Sequence, residues 1–197
     1  MRRFLLLISV IFCVVSCTNN EDFKSDHNPD NSAITKYNIG DLYNVGGVKG
    51  VVYKTDKSGQ SGMILSFIEP ENMLSWSTEW VVTGAQSTIS GEQNMVAIYN
   101  RANWRDIYRA FAWCETLGKG WYIPSIDELE ELIDIANSDS FTSTLASYGA
   151  TPFSTNGYYI SSTEVDKWTI SIAKFTTGER SENYKQFTYN VRAIRTF

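Results

Sequence analysis

The sequence predicts an α+β domain. Three observations carry this. Short runs rich in Val, Ile and Tyr begin after Ile39 and return near the C-terminus. Two stretches with helical periodicity lie side by side between them. The order is therefore strands, helices, strands, a segregated arrangement and not the alternation that gives a parallel α/β sheet.

The first strands are residues 48–54 and 63–68. Between them Thr55-Asp56-Lys57-Ser58-Gly59-Gln60-Ser61-Gly62 is a cluster of turn formers, so the pair reads as a β-hairpin with a long loop. Residues 73–82 are aromatic and fit strand or loop equally. Residues 83–92 hold Gly84 and Gly91 among small polar side chains and are expected to be loop. In 104–117, Ile107, Ala110, Phe111, Cys114 and Leu117 fall on one helical face, and Gly118 and Gly120 end it. The second helix follows Pro124. Ser125 and Glu128 have the spacing of a capping box, in which the serine hydroxyl and the glutamate carboxylate satisfy orphan N–H groups of the first turn. Its apolar face is Leu129, Leu132, Ile133 and Ala136, which leaves Glu130, Glu131 and Asp134 on a solvated face. Residues 158–161, 168–175 and 190–197 read as strands, with Trp168, Ile170 and Ile172 on one face. Residues 176–189 read as a polar connection dotted with Tyr184, Phe187 and Tyr189.

Before the domain comes a different kind of chain. Met1-Arg2-Arg3 is a basic start and residues 4–15 form an apolar run. This is the pattern of a secretory signal, and it is shorter than the roughly 20 apolar residues a membrane-spanning helix needs. Val14, Ser16 and Cys17 resemble a bacterial lipobox, which implies cleavage after residue 16 and acylation of Cys17, palmitate being one of the chains. Thr18-Asn19-Asn20-Glu21-Asp22 resembles the surface-export signal of some Gram-negative lipoproteins, which implies the outer face of the outer membrane. Residues 17–38 are rich in Asn, Asp and Ser and have the composition of a flexible tether. The domain is then residues 39–197.

Composition narrows the function. The chain carries 17 Lys and Arg against 22 Asp and Glu, a net charge of −5. Loss of Arg2 and Arg3 with the signal makes the balance 15 against 22. Nucleic acid is disfavoured as a partner, because that affinity is built on phosphates neutralised by Lys and Arg. The cysteines are Cys13, Cys17 and Cys114, so a domain disulfide is not available. Cys114 lies on an apolar helix face and reads as a small core residue. His27, the sole histidine, lies in the tether, so a zinc or redox-metal ligand set is not expected. No cofactor is expected either.

Five short motifs, in order, resemble a bacterial C-type-lectin-like family that includes the Fibrobacter major paralogous domains and target proteins of diversity-generating retroelements. They are Gly50-Val51-Val52-Tyr53 with Gly59 and Gly62-Met63; Thr83-Gly84-Ala85 with Gly91 and Asn94; Trp113-Cys114 and Gly120-Trp121-Tyr122-Ile123-Pro124-Ser125 with Glu128-Leu129; Tyr158-Tyr159-Ile160-Ser161-Ser162-Thr163-Glu164; and Gly178 with Val191-Arg192-Ala193-Ile194-Arg195-Thr196-Phe197. The resemblance implies a C-type-lectin-like fold: two helices packed on short, mostly antiparallel sheets, the N- and C-terminal strands paired, and a ligand face in the C-terminal half. It leaves Ser161, Ser162 and Thr163 to satisfy backbone groups, and Arg192 and Arg195 to pair with carboxylates. Glu69-Pro70-Glu71-Asn72 is superficially like the calcium loop of sugar-binding lectins but lies before the first helix, so it reads as a turn.

The expected function is a non-catalytic, adhesin-like binding module on the cell surface, monomeric, held to the membrane by its lipid alone. Its ligand would be a protein or a glycan. The candidate contacts are Glu164, Asp166 and Lys167 in one loop, and Asn183, Tyr184, Lys185, Gln186 and Tyr189 in the other. Tyrosines among amide side chains give large contact area at small entropic cost. The competing expectation is a structural accessory or tip subunit of a surface assembly such as a pilus. An enzyme is the least favoured class.

Overall fold

The computed structural model describes residues 35–197, so the signal, Cys17, His27 and most of the tether lie outside the described residues. The described chain is α+β, with five helices and three small antiparallel sheets. In chain order it runs β1 (Leu42–Val45), β2 (Val48–Thr55), β3 (Gly62–Ser66), β4 (Leu74–Ser75), α1 (Gly91–Tyr99), α2 (Trp104–Ile107) and α3 (Arg109–Thr116). It continues with α4 (Ile126–Ala136), α5 (Asp139–Ser147), β5 (Tyr158–Glu164), β6 (Thr169–Lys174), β7 (Arg180–Tyr184), β8 (Thr188–Tyr189) and β9 (Ile194–Thr196).

The first sheet has the order β1-β2-β3-β9. Gly46 and Gly47, both at positive φ (59° and 81°), make the tight turn from β1 to β2, a conformation that suits the strand twist and costs glycine least. The expected hairpin is β2–β3. The Asp56 carboxylate accepts the N–H groups of Ser58 and Gln60 and so holds its loop. The resemblance implies that the first and last strands pair with each other, and they do not. β1 occupies the free edge of β2, which leaves only the edge of β3 for β9, in the register Leu65↔Ile194. The first and last described strands thus sit at opposite edges of one sheet.

The helices differ from expectation at three places. The segment 104–117 is two helices, broken at Tyr108 (φ −108°, ψ 70°). The Ile107 carbonyl accepts Thr78 N–H at 3.0 Å instead of an N–H one turn ahead, and the Tyr108 ring is buried edge-on against Trp76 at 5.6 Å. A loop contact thus overrides helical periodicity. The expected loop 83–92 ends at Ser90, which caps α1 by accepting Gln93 N–H. Gly91 opens this helix for a packing reason: a Cβ there would lie 2.2 Å from the Ile123 carbonyl oxygen. Helix α5, capped by Ser138, was not foreseen. The expected capping box of α4 is present. Ser125 Oγ accepts Glu128 N–H, and the Glu128 carboxylate accepts Ser125 N–H at 2.8 Å.

Segment 176–189 is a correction of the same kind. It is not a plain connection: β7 pairs antiparallel with β6 from Thr169↔Tyr184 to Ala173↔Arg180, and β8 pairs with β4. As the outer strand of the sheet β5-β6-β7, it is solvated on both faces and so lacks the apolar alternation that marks a strand. Helix α4 packs on β5, β6 and β2, and one core runs from Val51 and Leu65 through Phe111, Leu132 and Ile133 to Ile172. Cys114 belongs to it, and burial pushes its thiol pKa up.

Candidate binding face

Four aromatic side chains meet on one surface. Trp80 comes from the segment after β4, Trp168 from the β5–β6 turn, Tyr184 from the end of β7, and Phe187 from the turn into β8. Trp80 lies 5.2 Å from Trp168 and 5.8 Å from Tyr184 by ring centroids, and Tyr184 lies 5.5 Å from Phe187. These are edge or tilted contacts, the arrangement that ring quadrupoles favour. The cluster is nevertheless open to solvent: Trp168, Tyr184 and Phe187 are 41%, 49% and 54% exposed. Trp168 is expected to share one strand face with Ile170 and Ile172. β6 starts one residue later, at Thr169, and the indole stays at the surface while the two isoleucines are buried.

The turn that presents Trp168 is fixed by Asp166. Its Oδ1 accepts Trp168 N–H and Thr169 N–H, each at 2.7 Å. These donors hold the Asp166 carboxyl below its usual pKa. Lys167 places its ammonium 4.4 Å from the Trp168 ring centre. Gln186 donates from its amide to Thr78 O, and Asn183 Oδ1 accepts Tyr184 N–H. The Gln186 carbonyl and the Asn183 NH2 form no hydrogen bond among the described residues. A rim of unspent polar groups thus borders the rings.

Directly behind stands an ion pair with no exposure. Lys185 Nζ donates to Glu164 at 2.5 Å, and both side chains are 0% exposed. Nζ also donates to Val81 O at 2.7 Å and lies 4.9 Å from the Trp76 ring centre. The Glu164 carboxylate accepts Thr83 N–H and Gly84 N–H. The Lys185 backbone takes part as well: its N–H donates to Trp168 O and its C=O accepts Trp76 N–H. Burial pulls the Lys185 pKa down, with Glu164 opposing. One residue pair therefore fastens the segments on which Trp80, Trp168 and Tyr184 are mounted.

The expected contact residues accordingly divide. Asp166, Lys167, Asn183, Tyr184 and Gln186 lie on the aromatic face or its rim. Glu164, Lys185 and Tyr189 are corrections: all three are buried, so they are not exposed loop residues. The first two are kept inside because each satisfies the other's charge, and Tyr189 pairs with Leu74 in the β4–β8 ladder. Sequence reading missed Trp80, in the ambiguous aromatic segment, and Phe187.

A second buried pair lies elsewhere. Arg192, 1% exposed, bonds Glu69 Oε1 at 2.7 Å, Ser66 O at 2.8 Å and Thr151 O at 2.7 Å, and covers the Phe153 ring at 4.3 Å. Glu69 also accepts the Tyr159 hydroxyl, and burial raises its pKa against the pull of Arg192. The expected arginine–carboxylate pairing thus holds for Arg192. Arg195 forms no ion pair among the described residues. The Ser161, Ser162 and Thr163 hydroxyls are engaged in the irregular stretch of β5: Ser161 with Ser171 O, Ser162 with Asn94, and Thr163 with Ser87 O and Ile126 N–H.

Two concavities lie on other parts of the described surface. A groove of about 690 Å³ is walled by Tyr99, Trp104 and Trp121, with Arg105 locked bidentately on Glu115 at its rim. A smaller, more polar pocket of about 410 Å³ lies between Glu79 and the α1–α2 turn. Among the described residues there is no cluster of three potential metal ligands, and no helix is long and apolar enough to cross a membrane. No protein-family model matches the chain, and no curated protein matches it in sequence.

Proposed function

We propose that the protein is a non-catalytic binding module of C-type-lectin-like fold that engages a glycan or protein through the Trp80–Trp168–Tyr184–Phe187 face. The observation that carries this is an exposed aromatic cluster mounted on a buried ion pair. Exposed aromatic groups cost solubility and gain the fold little, and contiguous apolar surface of this kind marks interaction sites. Rigid aromatic anchors with polar neighbours are the usual energetic centre of recognition surfaces, and a support fixed in advance lowers the entropy lost on binding. The sequence motifs support the fold assignment, as does the return of the C-terminal strand to the opening hairpin. The lipobox-like Ser16-Cys17 supports display as an outer-membrane lipoprotein, with the acidic residues after it directing the domain to the outer surface.

The test is a screen of glycans and surface proteins with the purified protein, repeated with Trp168→Ala and Tyr184→Ala. A ligand retained by the native protein and lost by both variants supports the reading. A ligand bound equally by all three places recognition elsewhere. Mass spectrometry of the native N-terminus tests the anchor: a diacylated or triacylated Cys17 supports it, and an unmodified Cys17 refutes it.

A further inference from the structure

Strand β7 is the outer strand of its sheet, and the phase of its pairing decides which of its backbone groups are used. An antiparallel ladder alternates hydrogen-bonded and non-hydrogen-bonded pairs. At one end Glu179 O accepts Lys174 N–H, and at the other Lys185 N–H donates to Trp168 O. Both contacts keep the register of the strands, so the hydrogen-bonded pairs between them are Ile172↔Ser181 and Ile170↔Asn183. Arg180, Glu182 and Tyr184 therefore turn their N–H and C=O groups away from β6. Tyr184 is closed: its N–H goes to Asn183 Oδ1, and its C=O accepts Phe187 N–H. Arg180 and Glu182 are open. Both residues are exposed, and their outward N–H and C=O groups form no hydrogen bond among the described residues.

This open edge runs into the aromatic face. Side chains two apart on a strand share one side, so Glu182 stands beside Tyr184, roughly 7 Å along the strand. The Tyr184 ring lies against Trp80 and Phe187. Arg180, on the same side, is drawn onto α4 by Asp127 and Glu130. Glu182 forms no ion pair among the described residues. The edge thus presents alternate backbone donors and acceptors, then a free carboxylate, then rings. An extended polypeptide carries the matching set, an N–H and a C=O at every second residue on one edge, whereas a sugar chain has no such repeat. A basic side chain complements Glu182, because opposite charges facing each other across strands are favourable. The side chain two residues further on falls on the rings. Lysine, proline and bulges are common devices that keep partners off a sheet edge, and β7 has none of them.

We infer that β7 takes an extended segment of a partner protein as an added strand, with a basic side chain opposite Glu182 and a large apolar one on the Tyr184–Trp80 rings. The inference rests on the binding reading above and names its ligand class as polypeptide.

The experiment is selection of short random peptides on the purified protein, followed by calorimetry with the selected sequence made synthetically. Selected peptides are expected to carry Lys or Arg two positions from a large apolar residue. Methylating the peptide's amide nitrogens one at a time should weaken binding about tenfold or more at alternate positions and little at those between, because every second N–H faces β7. Glu182→Pro should remove binding and leave the circular dichroism spectrum unchanged, since its N–H lies outside the ladder to β6. Ser181→Pro, whose N–H belongs to that ladder, should lower the melting temperature. Glu182→Gln should weaken a basic peptide about threefold, the scale of an exposed ion pair, and leave its norleucine counterpart unaffected. Failure to select any peptide overturns the inference, as does methylation without alternation, or binding that survives Glu182→Pro. A glycan retained in the screen with no peptide selected overturns it and leaves the aromatic face standing. If alternation and the Glu182→Pro loss hold while Trp168→Ala changes nothing, the strand site stands and the aromatic-face reading falls. If Trp168→Ala abolishes peptide binding that shows no alternation, the face stands and strand addition falls.

Discussion

The two buried ion pairs use one device for two ends. Arg192 spends its donors on Glu69, Ser66 and Thr151, all inside the fold, with Phe153 covering it. It ties β3 and the turn after it to the segment after α5. Lys185 and Glu164 are equally buried, but the backbone segments they hold end in exposed rings. A buried ion pair contributes little net stability over a well-packed apolar substitute, because desolvation offsets the attraction. What it supplies is geometry. In one region that geometry is the fold's closure; in the other it is the shape of a surface.

The largest expected effect is at the closure. Arg192→Ala leaves Glu69 buried and unpaired and should cost about 3–5 kcal/mol, the usual loss on breaking such a pair. Urea unfolding followed by circular dichroism measures it. A loss under about 1 kcal/mol, the range of an exposed pair, would erase the distinction drawn here.

Lys185→Met should cost less, about 2–3 kcal/mol, because Glu164 keeps the Thr83 and Gly84 N–H donors after the ammonium has gone. The same urea experiment reads it. The sharper readout is the indole N–H signals in proton–nitrogen spectra, because Lys185 also touches the buried Trp76. Lys185→Met should move the Trp80 and Trp168 signals, while a mild substitution at the closure, Glu69→Gln, should leave them unchanged. If both variants left those two signals alone, Lys185 would be one more core residue.

On the face itself the effects should invert. Tyr184→Ala and Trp168→Ala should change stability by no more than about 0.5 kcal/mol, as surface substitutions do. Once a ligand is in hand, each should cost about 2 kcal/mol or more of binding, the mark of an anchor. Large stability losses would instead make these rings part of the core.

The smallest effect is a difference in titration. Burial raises the Glu69 pKa, so the folded state holds its proton longer than the unfolded chain does. Stability from this group therefore falls as pH rises from the ordinary carboxylate value to the raised one. Asp166 is the opposite case. Its pKa is lowered by the Thr169 and Trp168 N–H groups, so its contribution is present above the ordinary value and lost as pH falls through the lowered one. Carboxyl NMR titration should place Glu69 above Asp166, and the reverse order would contradict both assignments.

Much of the fold was legible because its signals are local. The turn formers between residues 55 and 62, the Ser125–Glu128 capping box and the apolar face around Cys114 each depend on neighbours within a turn or two. Some local signals were passed over. Ser90 and Gln93 have the spacing of a capping box, a signal the loop expectation for 83–92 does not use, and Gly91 lets α1 approach the Ile123 carbonyl. Other features had no local signal. The break at Tyr108 is made by Thr78, far away in sequence, and β7 is an edge strand without apolar alternation. The site was half legible for the same reason. Tyr184 and Gln186 lie in a segment whose composition suggests contact. The burial of Lys185 is decided by Glu164 and Val81, which only the folded chain brings to it.

The proposed ligand surface is the exposed aromatic cluster and not the larger groove beside Trp104. The chain has six tryptophans, and each indole N–H gives its own NMR signal. Proton–nitrogen spectra recorded during titration with a ligand identified by the screen distinguish the two surfaces. Binding should move the Trp80 and Trp168 indole signals and leave those of Trp104 and Trp121 in place. Movement confined to Trp104 and Trp121 would contradict it.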